Sequence, residues 1–455
     1  MLYRVLRAYW RIALSVFFRD IEVEGRELVP ERGPLLVVPN HTNALVDPLV
    51  ILVQLKRPVT VTAKTTLAKN TLLAALMRAL NVITFQRRQD VESGGDVEHN
   101  LRAFDECRRR LREGAAICIF PEGVSHSDPG LRAFKTGAAR IALNYLERDA
   151  NCGHLKIVPV GLYFEKKDRF RSSVWVRFGA PLDVADWTAE HRHAGRRDLT
   201  EEIEKRVRGL TLNFETAAEV ELYKSAAEVV ATGGREPLAL GREEETRLGR
   251  RVRWIQTLQA GYRELRARRP EAVAALERRV REYQAELRRL GITPGEVYLP
   301  MTVGRAAFFV LRELELLFIG LPSAAWGWLN HLLPYQVTKV GARKMSRDED
   351  HFASNAVFVG VAVFPLFYVL QIAVAGWLLP AWAAVLYAVA LPYSGAVALR
   401  YRDRVGSIRQ RTGVFLRFLF QPMVQRRLAE EGRAIIAEVE RLGKELERES
   451  DGLRT

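Results

Sequence analysis

Cysteine is scarce in this chain of 455 residues: Cys107, Cys118 and Cys152 are the only three. An odd count with no metal-ligand spacing gives neither a disulfide framework nor a metal site, and it fits a reducing compartment. Zinc-finger, Walker A and RRM signatures are also missing. The net charge of +15 therefore has no nucleic-acid motif beside it, and anionic lipid or a phosphorylated substrate remains as the anionic partner. The first residues, MLYRVLRAYWRIALSVFFRD, lack a small-residue cleavage site and scatter arginines among apolar side chains. They read as an amphipathic membrane-surface helix over 1–20, not as a signal peptide.

Charge itself is absent between Ala356 and Leu399, where Gln371 is the one strongly polar side chain. Two apolar stretches, 356–378 and 381–399, meet at Leu379-Pro380, and each approaches the roughly 20 residues needed to cross a bilayer. Lys339, Arg343, Lys344 and Arg347 precede them, and Arg400, Arg402, Arg404, Arg409 and Arg411 follow. The positive-inside rule puts both flanks in the cytoplasm and predicts a transmembrane hairpin, with a buried core hairpin as the alternative. The stretch 306–333 is apolar but interrupted by Arg312, Glu313 and Glu315 and broken at Gly320 and Pro322. It is expected to be an interfacial or re-entrant element, or a short hairpin. Residues 414–428, VFLRFLFQPMVQRRL, interleave Phe, Leu and Arg as a helix lying on anionic lipid would; packing on a soluble domain is the other reading.

What is present upstream has a different rhythm. The runs at 34–39, 58–63, 81–85, 114–121, 156–164 and 173–179 are rich in β-branched residues and bounded by Pro, Gly or Asn, as strands are. Helical patterns at 67–80, 97–113 and 136–148 lie between several of them. This alternation predicts an α/β domain over 21–210, with a mixed, mostly parallel sheet flanked by helices. A segment dense in Glu, Arg, Leu and Ala follows over 211–300; within it, Pro270 and Gly291 mark the start and end of one helix. The membrane region then occupies 301–400, and a basic amphipathic cytoplasmic tail 401–455.

Chemistry gathers at the strand ends. PLLVVPNH runs a buried strand into His41, the edge where open α/β sheets collect ligands. Asp47 stands six positions on. A continuous helix would turn those two side chains roughly 600° apart, so the pair can meet only if the chain bends. Asp47 precedes Pro48 and is thereby pushed out of the helical region, which predicts a bend over 42–46 and Asp47 as an N-cap able to turn back toward the imidazole. A plain cap beside an unrelated loop histidine is the competing reading. Other strands deliver Arg87 and Arg88 in ITFQRRQD, Glu122 and Gly123 in ICIFPEGVSHS, and Pro159 and Gly161 in IVPVGLYF. Ser125 is no hydrolase nucleophile, because GVSHS lacks the second glycine of G-x-S-x-G.

Together these blocks resemble the glycerolipid acyltransferase superfamily, defined by NH-x(n)-D, a G/N-x-I-x-F-x-x-R block, FPEG-x-S and a V-P-V/I-G strand. All four occur in family order over 35–182, about a third of the chain. Most members place four residues between histidine and aspartate; HTNALVDPL has five. FPEGVSHSD also lacks the arginine that usually follows FPEG-Thr in lysophosphatidate acyltransferases. Both departures look like the fungal-type glycerol-3-phosphate/dihydroxyacetone-phosphate acyltransferases. The resemblance implies transfer of an acyl group from an acyl thioester, acyl-CoA or acyl carrier protein, to a hydroxyl of a phosphorylated glycerol, with no cofactor or metal. His41 would be the general base and Asp47 its orienting partner, with Arg87 first choice for the acceptor phosphate. Ser125, His126, Lys135 and Lys64 would stand in for the missing arginine, Glu122 would order the site, and the Gly123 amide would serve the thioester oxyanion. The enzyme would sit at a membrane with this domain in the cytoplasm. Alternatives are a lysophosphatidate or other lysophospholipid acyltransferase, and a non-catalytic membrane scaffold of the same fold. The oligomeric state stays open.

Overall fold

The computed structural model describes residues 2–66, 74, 77–78, 80, 82–86, 97–149, 151, 153–167, 169–232, 246–298, 303–346 and 349–452. The chain divides into two units, the first of residues 1–213, 246–249 and 338–361, the second of 214–245, 250–337 and 362–455.

In the first unit, helix α1 (Leu2–Phe17) leads into strand β1 (Asp20–Glu24), then β2 (Leu35–Pro39), α2 (Val46–Gln54), β3 (Val59–Lys64) and β4 (Ile83–Phe85). Next come α3 (Val97–Arg112), β5 (Ala116–Cys118), α4 (Gly137–Asp149), β6 (Lys156–Phe164), β7 (Ser173–Phe178), β8 (Leu182–Asp183), α5 (Val184–Glu190) and α6 (Arg196–Arg208). The sheet order is β1-β7-β6-β2-β5-β3-β4, with β8 also on β6. Strands β4, β3, β5, β2 and β6 run parallel, β7 and β8 antiparallel to β6, and β1 parallel to β7. The mixed, mostly parallel sheet is thus as the sequence predicts. β1 escapes the sequence reading because DIEVE puts an acid at every second position of an edge strand.

The central strand LLVVP is buried along its whole length, as a strand covered on both faces must be. Its period of two sorts the side chains. Leu35 and Val37 join one cluster with Trp10, Leu14, Val50, Ala353 and Val357. Leu36 and Val38 join the other with Leu111, Ala138, Ile141 and Ile203. Helix α1 therefore contributes one face, Trp10, Leu14 and Phe17, to a protein core, while Val5, Ile12 and Val16 are exposed. One face of the expected amphipathic helix thus has a protein partner, which the sequence reading did not foresee. The expected helix over 67–80 falls largely outside the described residues.

The second unit is helical: α7 (Ala217–Thr232), most of α8 (Arg247–Arg268), α9 (Pro270–Leu290) and α10 (Pro294–Val297), then the greater parts of α11 (Val303–Met345) and α12 (Glu349–Leu378), and all of α13 (Ala381–Phe420) and α14 (Pro422–Gly452). Pro270 opens α9, and Gly291, at φ 62°, closes it in the left-handed region, as the sequence predicts. Val273, Val280 and Leu287 of α9 are buried at seven-residue spacing, as are Leu428, Ile435 and Leu442 of α14, the seam spacing of paired helices. Ion pairs Arg269–Glu445, Arg279–Glu431 (2.7 Å) and Arg427–Glu286 run along the pair in opposite chain directions, so the helices are antiparallel.

Two expectations change here. The lipid-lying helix over 414–428 is instead the end of α13, a break at Gln421, and the start of α14. Val414, Phe418 and Leu428 are buried in this helical core, the packed alternative of the sequence reading, and the described residues of 401–452 lie in α13 and α14 apart from Gln421. The segment 306–333 is not interrupted: α11 runs 43 residues with Pro322 and Pro334 inside it. α12 and α13 hold two stretches long and apolar enough to cross a membrane, Phe352–Leu378 and Ala381–Gly406.

Candidate active site

Parallel strands β2, β5 and β3 are neighbours, so their C-terminal ends open onto one edge. β2 delivers Asn40 and His41 there, β5 the segment through Glu122 and Gly123, and β3 its last residue, Lys64. β4 ends at Phe85, and Arg87, two positions on, lies outside the described residues, as does Arg88.

Asn40 fastens the strand end. Its buried amide donates to the Leu162 carbonyl (3.1 Å) and accepts from the Leu162 amide (2.7 Å), continuing the β2–β6 pairing through a side chain. The chain then bends, with Ala44 at φ 38°, a left-handed conformation that costs a non-glycine residue about 1–2 kcal/mol. The bend brings the fully buried Asp47 back to His41: Oδ2 accepts from His41 Nδ1 at 2.9 Å, from the Thr42 amide at 2.7 Å and from the Asn43 amide at 2.8 Å. The competing reading, an unrelated loop histidine, is excluded by this contact.

The local prediction for Asp47 needs correction. Helix α2 begins at Val46, so Asp47 and Pro48 are its second and third residues, and Leu45 at the N-cap makes no side-chain cap. The carboxylate turns to the amides of the preceding bend instead, where two N–H groups and an imidazole converge. The bend is braced from far along the chain by Ser354, 2% exposed. Its hydroxyl accepts from the Val46 amide (3.2 Å) and donates to the Asn43 carbonyl (3.2 Å).

An ionised carboxylate only accepts, so Nδ1 of His41 carries the proton and Nε2 presents its lone pair. Nε2 makes no hydrogen bond among the described residues, and the side chain keeps 18% of its surface exposed. The Phe120 ring lies 4.2 Å from the imidazole, centroid to centroid, and limits its rotation.

Glu122, buried, ties two loops together. Oε1 accepts from the His41 amide (2.7 Å); Oε2 accepts from the Arg132 amide (3.0 Å) and from His126 Nε2. His126 Nδ1 in turn accepts from the Asp128 amide (3.2 Å), and the His126 amide donates to the His41 carbonyl (3.2 Å). Both ring nitrogens of His126 are therefore engaged, and the ring is 5% exposed: the geometry makes it a brace for Glu122 and not a group reaching outward. Gly123 sits at φ 72°, and a Cβ there would lie 2.6 Å from Lys135 Nζ, so the missing side chain makes room for that ammonium. Its amide donates to the Phe120 carbonyl (3.1 Å) within the turn and is not free for an oxyanion. Lys135 is exposed, with no ion pair among the described residues. Ser125 and Lys64 are partly buried and engaged in interactions of their own.

The sequence reading missed Asn40, Phe120 and Ser354. The first two stand inside quoted motifs, where an asparagine after a buried strand is a visible signal. Ser354 is 307 positions from Asp47 and carries no local mark. Burial raises the thiols of Cys118, beside Asp47, and of Cys107, the latter to about 12.

Residues 20–163 match the family model described as Acyltransferase. An uncharacterized acyltransferase of Schizosaccharomyces pombe is 27% identical over 257 residues, 38% of this chain and 38% of its own length. A 1-acyl-sn-glycerol-3-phosphate acyltransferase of Borreliella burgdorferi is 29% identical over 40% of this chain and 68% of its own. The glycerol-3-phosphate O-acyltransferase 2 of Saccharomyces cerevisiae is 29% identical over 108 residues, 24% of this chain and 14% of its own. The match thus takes in well under half the length of the two yeast relatives.

Proposed function

With residues 20–163 forming an acyltransferase-family domain that fits the glycerolipid acyltransferase superfamily, we propose that this chain moves a fatty acyl group from an acyl thioester to a hydroxyl of glycerol-3-phosphate or dihydroxyacetone phosphate. The observation that carries the reading is the contact between His41 Nδ1 and Asp47 Oδ2, which leaves Nε2 open as a base. Nε2 takes the proton of the acceptor hydroxyl, whose oxygen attacks the thioester carbonyl. The tetrahedral adduct then expels the thiolate, which leaves with the proton held by the imidazolium. Asp47 stabilises that imidazolium, and substrate oxygen takes the place that a serine holds in a protease triad. No acyl-enzyme is formed and no cofactor or metal is called for.

Lys135, exposed and without an ion pair among the described residues, is the described cation best suited to the acceptor phosphate, with Arg87 the second on sequence grounds; guanidinium matches phosphate bidentately and ammonium serves as a point charge. The five-residue interval between His41 and Asp47 favours a first acylation over acylation of lysophosphatidate. Acyl-CoA and acyl carrier protein both fit as donors, and the apolar helices α12 and α13 fit a membrane enzyme with its α/β domain in the cytoplasm.

The test is acyl transfer by the purified protein from labelled acyl-CoA to a panel of acceptors. Transfer to glycerol-3-phosphate that falls about 10²–10⁴-fold in His41→Ala supports the reading. A preference for lysophosphatidate would move it to the second acylation, and folded protein inactive on every acceptor would favour the scaffold.

A further inference from the structure

No Asp, Glu, Lys or Arg lies between Glu315 and Lys339, and this stretch of α11 presents Phe318, Ile319, Trp328, Leu329, Leu333 and Val337 outward, all exposed. Asn330 and His331 turn the other way, while Ser323 and Gln336 stay exposed. Pro334 has no N–H, so the carbonyl of Asn330 loses its partner four residues on. Gln371 of α12 supplies one, its Nε2 donating to that carbonyl at 2.8 Å. Gln371 is the strongly polar residue that stood out in an otherwise apolar run, and this contact gives it a task.

The seam continues on both sides. Tyr387 of α13 donates to Asn330 Oδ1 at 2.6 Å, and Asn330 Nδ2 donates to the Trp326 carbonyl at 2.8 Å. His331 Nδ1 donates to the Gly327 carbonyl (2.7 Å), which leaves Nε2 to accept from the Tyr368 hydroxyl (2.8 Å). Small residues let the backbones close up: a Cβ on Gly327 would lie 2.1 Å from the Ser394 carbonyl oxygen, and one on Gly395 would lie 2.7 Å from His331 Nε2. Hydrogen-bonded polar groups inward, small residues at the crossing and large apolar groups outward is how helices are arranged in hydrocarbon, where a carbonyl without a partner has no water to turn to.

We propose that residues 316–338 of α11 are a third bilayer-embedded helix, locked to α12 and α13 by the Asn330–His331 seam, and that its outer face takes lipid hydrocarbon. The inference rests on the membrane reading of α12 and α13, and the experiment separates the two. Single cysteines at Leu329 (α11), Val369 (α12) and Lys344 (an exposed basic position) carry nitroxide labels in the full chain in phosphatidylcholine–phosphatidylglycerol nanodiscs. The parent chain gives the background. Oxygen and a water-soluble nickel chelate are the collision probes. Leu329 and Val369 are expected to share a lipid signature, high oxygen and low nickel contact, with Lys344 the reverse. Nickel contact at Leu329 but not at Val369 overturns the inference and leaves the hairpin standing; nickel contact at both overturns the membrane reading itself. A Leu329 label reached by neither probe means that protein, such as a second copy, covers the face, and also overturns the inference. A second arm tests the lock. Gln371→Leu is expected to lower the thermal midpoint, and Pro334→Ala, which returns an N–H to the Asn330 carbonyl, to at least halve that loss. An equal loss in both backgrounds refutes the lock.

Discussion

Asp47 Oδ2 accepts three hydrogen bonds, so two properties are joined in one atom: it shapes the bend and it faces the His41 imidazole. An asparagine can offer an amide oxygen to the same three donors but carries no charge to stabilise an imidazolium. Asp47→Asn is therefore expected to keep its thermal midpoint within a few degrees while kcat falls about 10²–10⁴-fold; a parallel collapse of stability would assign Asp47 to folding alone. The thiols offer a second check at this scale. Burial holds Cys107 near 12 and raises Cys118 further, so both remain protonated thiols at any ordinary pH, and the thiolate is the reactive form. Maleimide at pH 8 should leave both unmodified in native protein and modify both in denaturant, read by peptide mass spectrometry. His41, Asp47 and Glu122 were legible because motif order and strand ends mark them. The engagement of His126 and of the Gly123 amide was not, since which partner a group takes depends on turn geometry that residue identity leaves open.

Elements were legible where period and punctuation agree: β2, β6 and α9 match their sequence signals closely. They were misread where a helix carries proline. Gly320 and Pro322 look like a break, yet α11 passes through, because neighbouring groups can satisfy a carbonyl that proline frees. The same holds in the first unit. Pro365 frees the carbonyl of Val361, and the Tyr9 hydroxyl of α1 donates to it at 2.5 Å. Ser354, also on α12, holds the bend between β2 and α2. The Val46 amide also donates to the Asn43 carbonyl at 2.9 Å, so Ser354→Ala removes a bridging hydroxyl without stranding either group, at a cost of about 0.5–1.5 kcal/mol. Denaturant titration should show that loss, together with a lower kcat at unchanged substrate KM if the bend sets the base's position. Unaltered stability and turnover would show the hydroxyl to be dispensable.

At the scale of the molecule, the α/β architecture was visible from alternation alone, but the boundary of its domain was not. The expected limits, 21–210, leave out α1 and residues 338–361, both of which belong to the first unit. Ala353 and Val357 sit fully or almost fully buried in the cluster that holds Trp10, Leu14 and Val46. Burying a single large aliphatic side chain contributes about 1.5–3 kcal/mol. A chain ended at Asn213 is therefore expected to lose several kcal/mol and to expose Trp10. A soluble fragment with the thermal midpoint and tryptophan emission of the parent domain would contradict this.

Ser354 and Tyr9 also impose an order in time. A ribosome releases α1 and the His41 bend early, and residues 353–361 only after most of the chain has been made. Until then Val46 lacks its Ser354 brace and Trp10 lacks its contact with Phe358. The same helix that closes that core runs on into the apolar stretch proposed to enter lipid. The brace of the His41 bend and the long apolar stretch thus lie on one helix, Glu349–Leu378, and neither is made without the other.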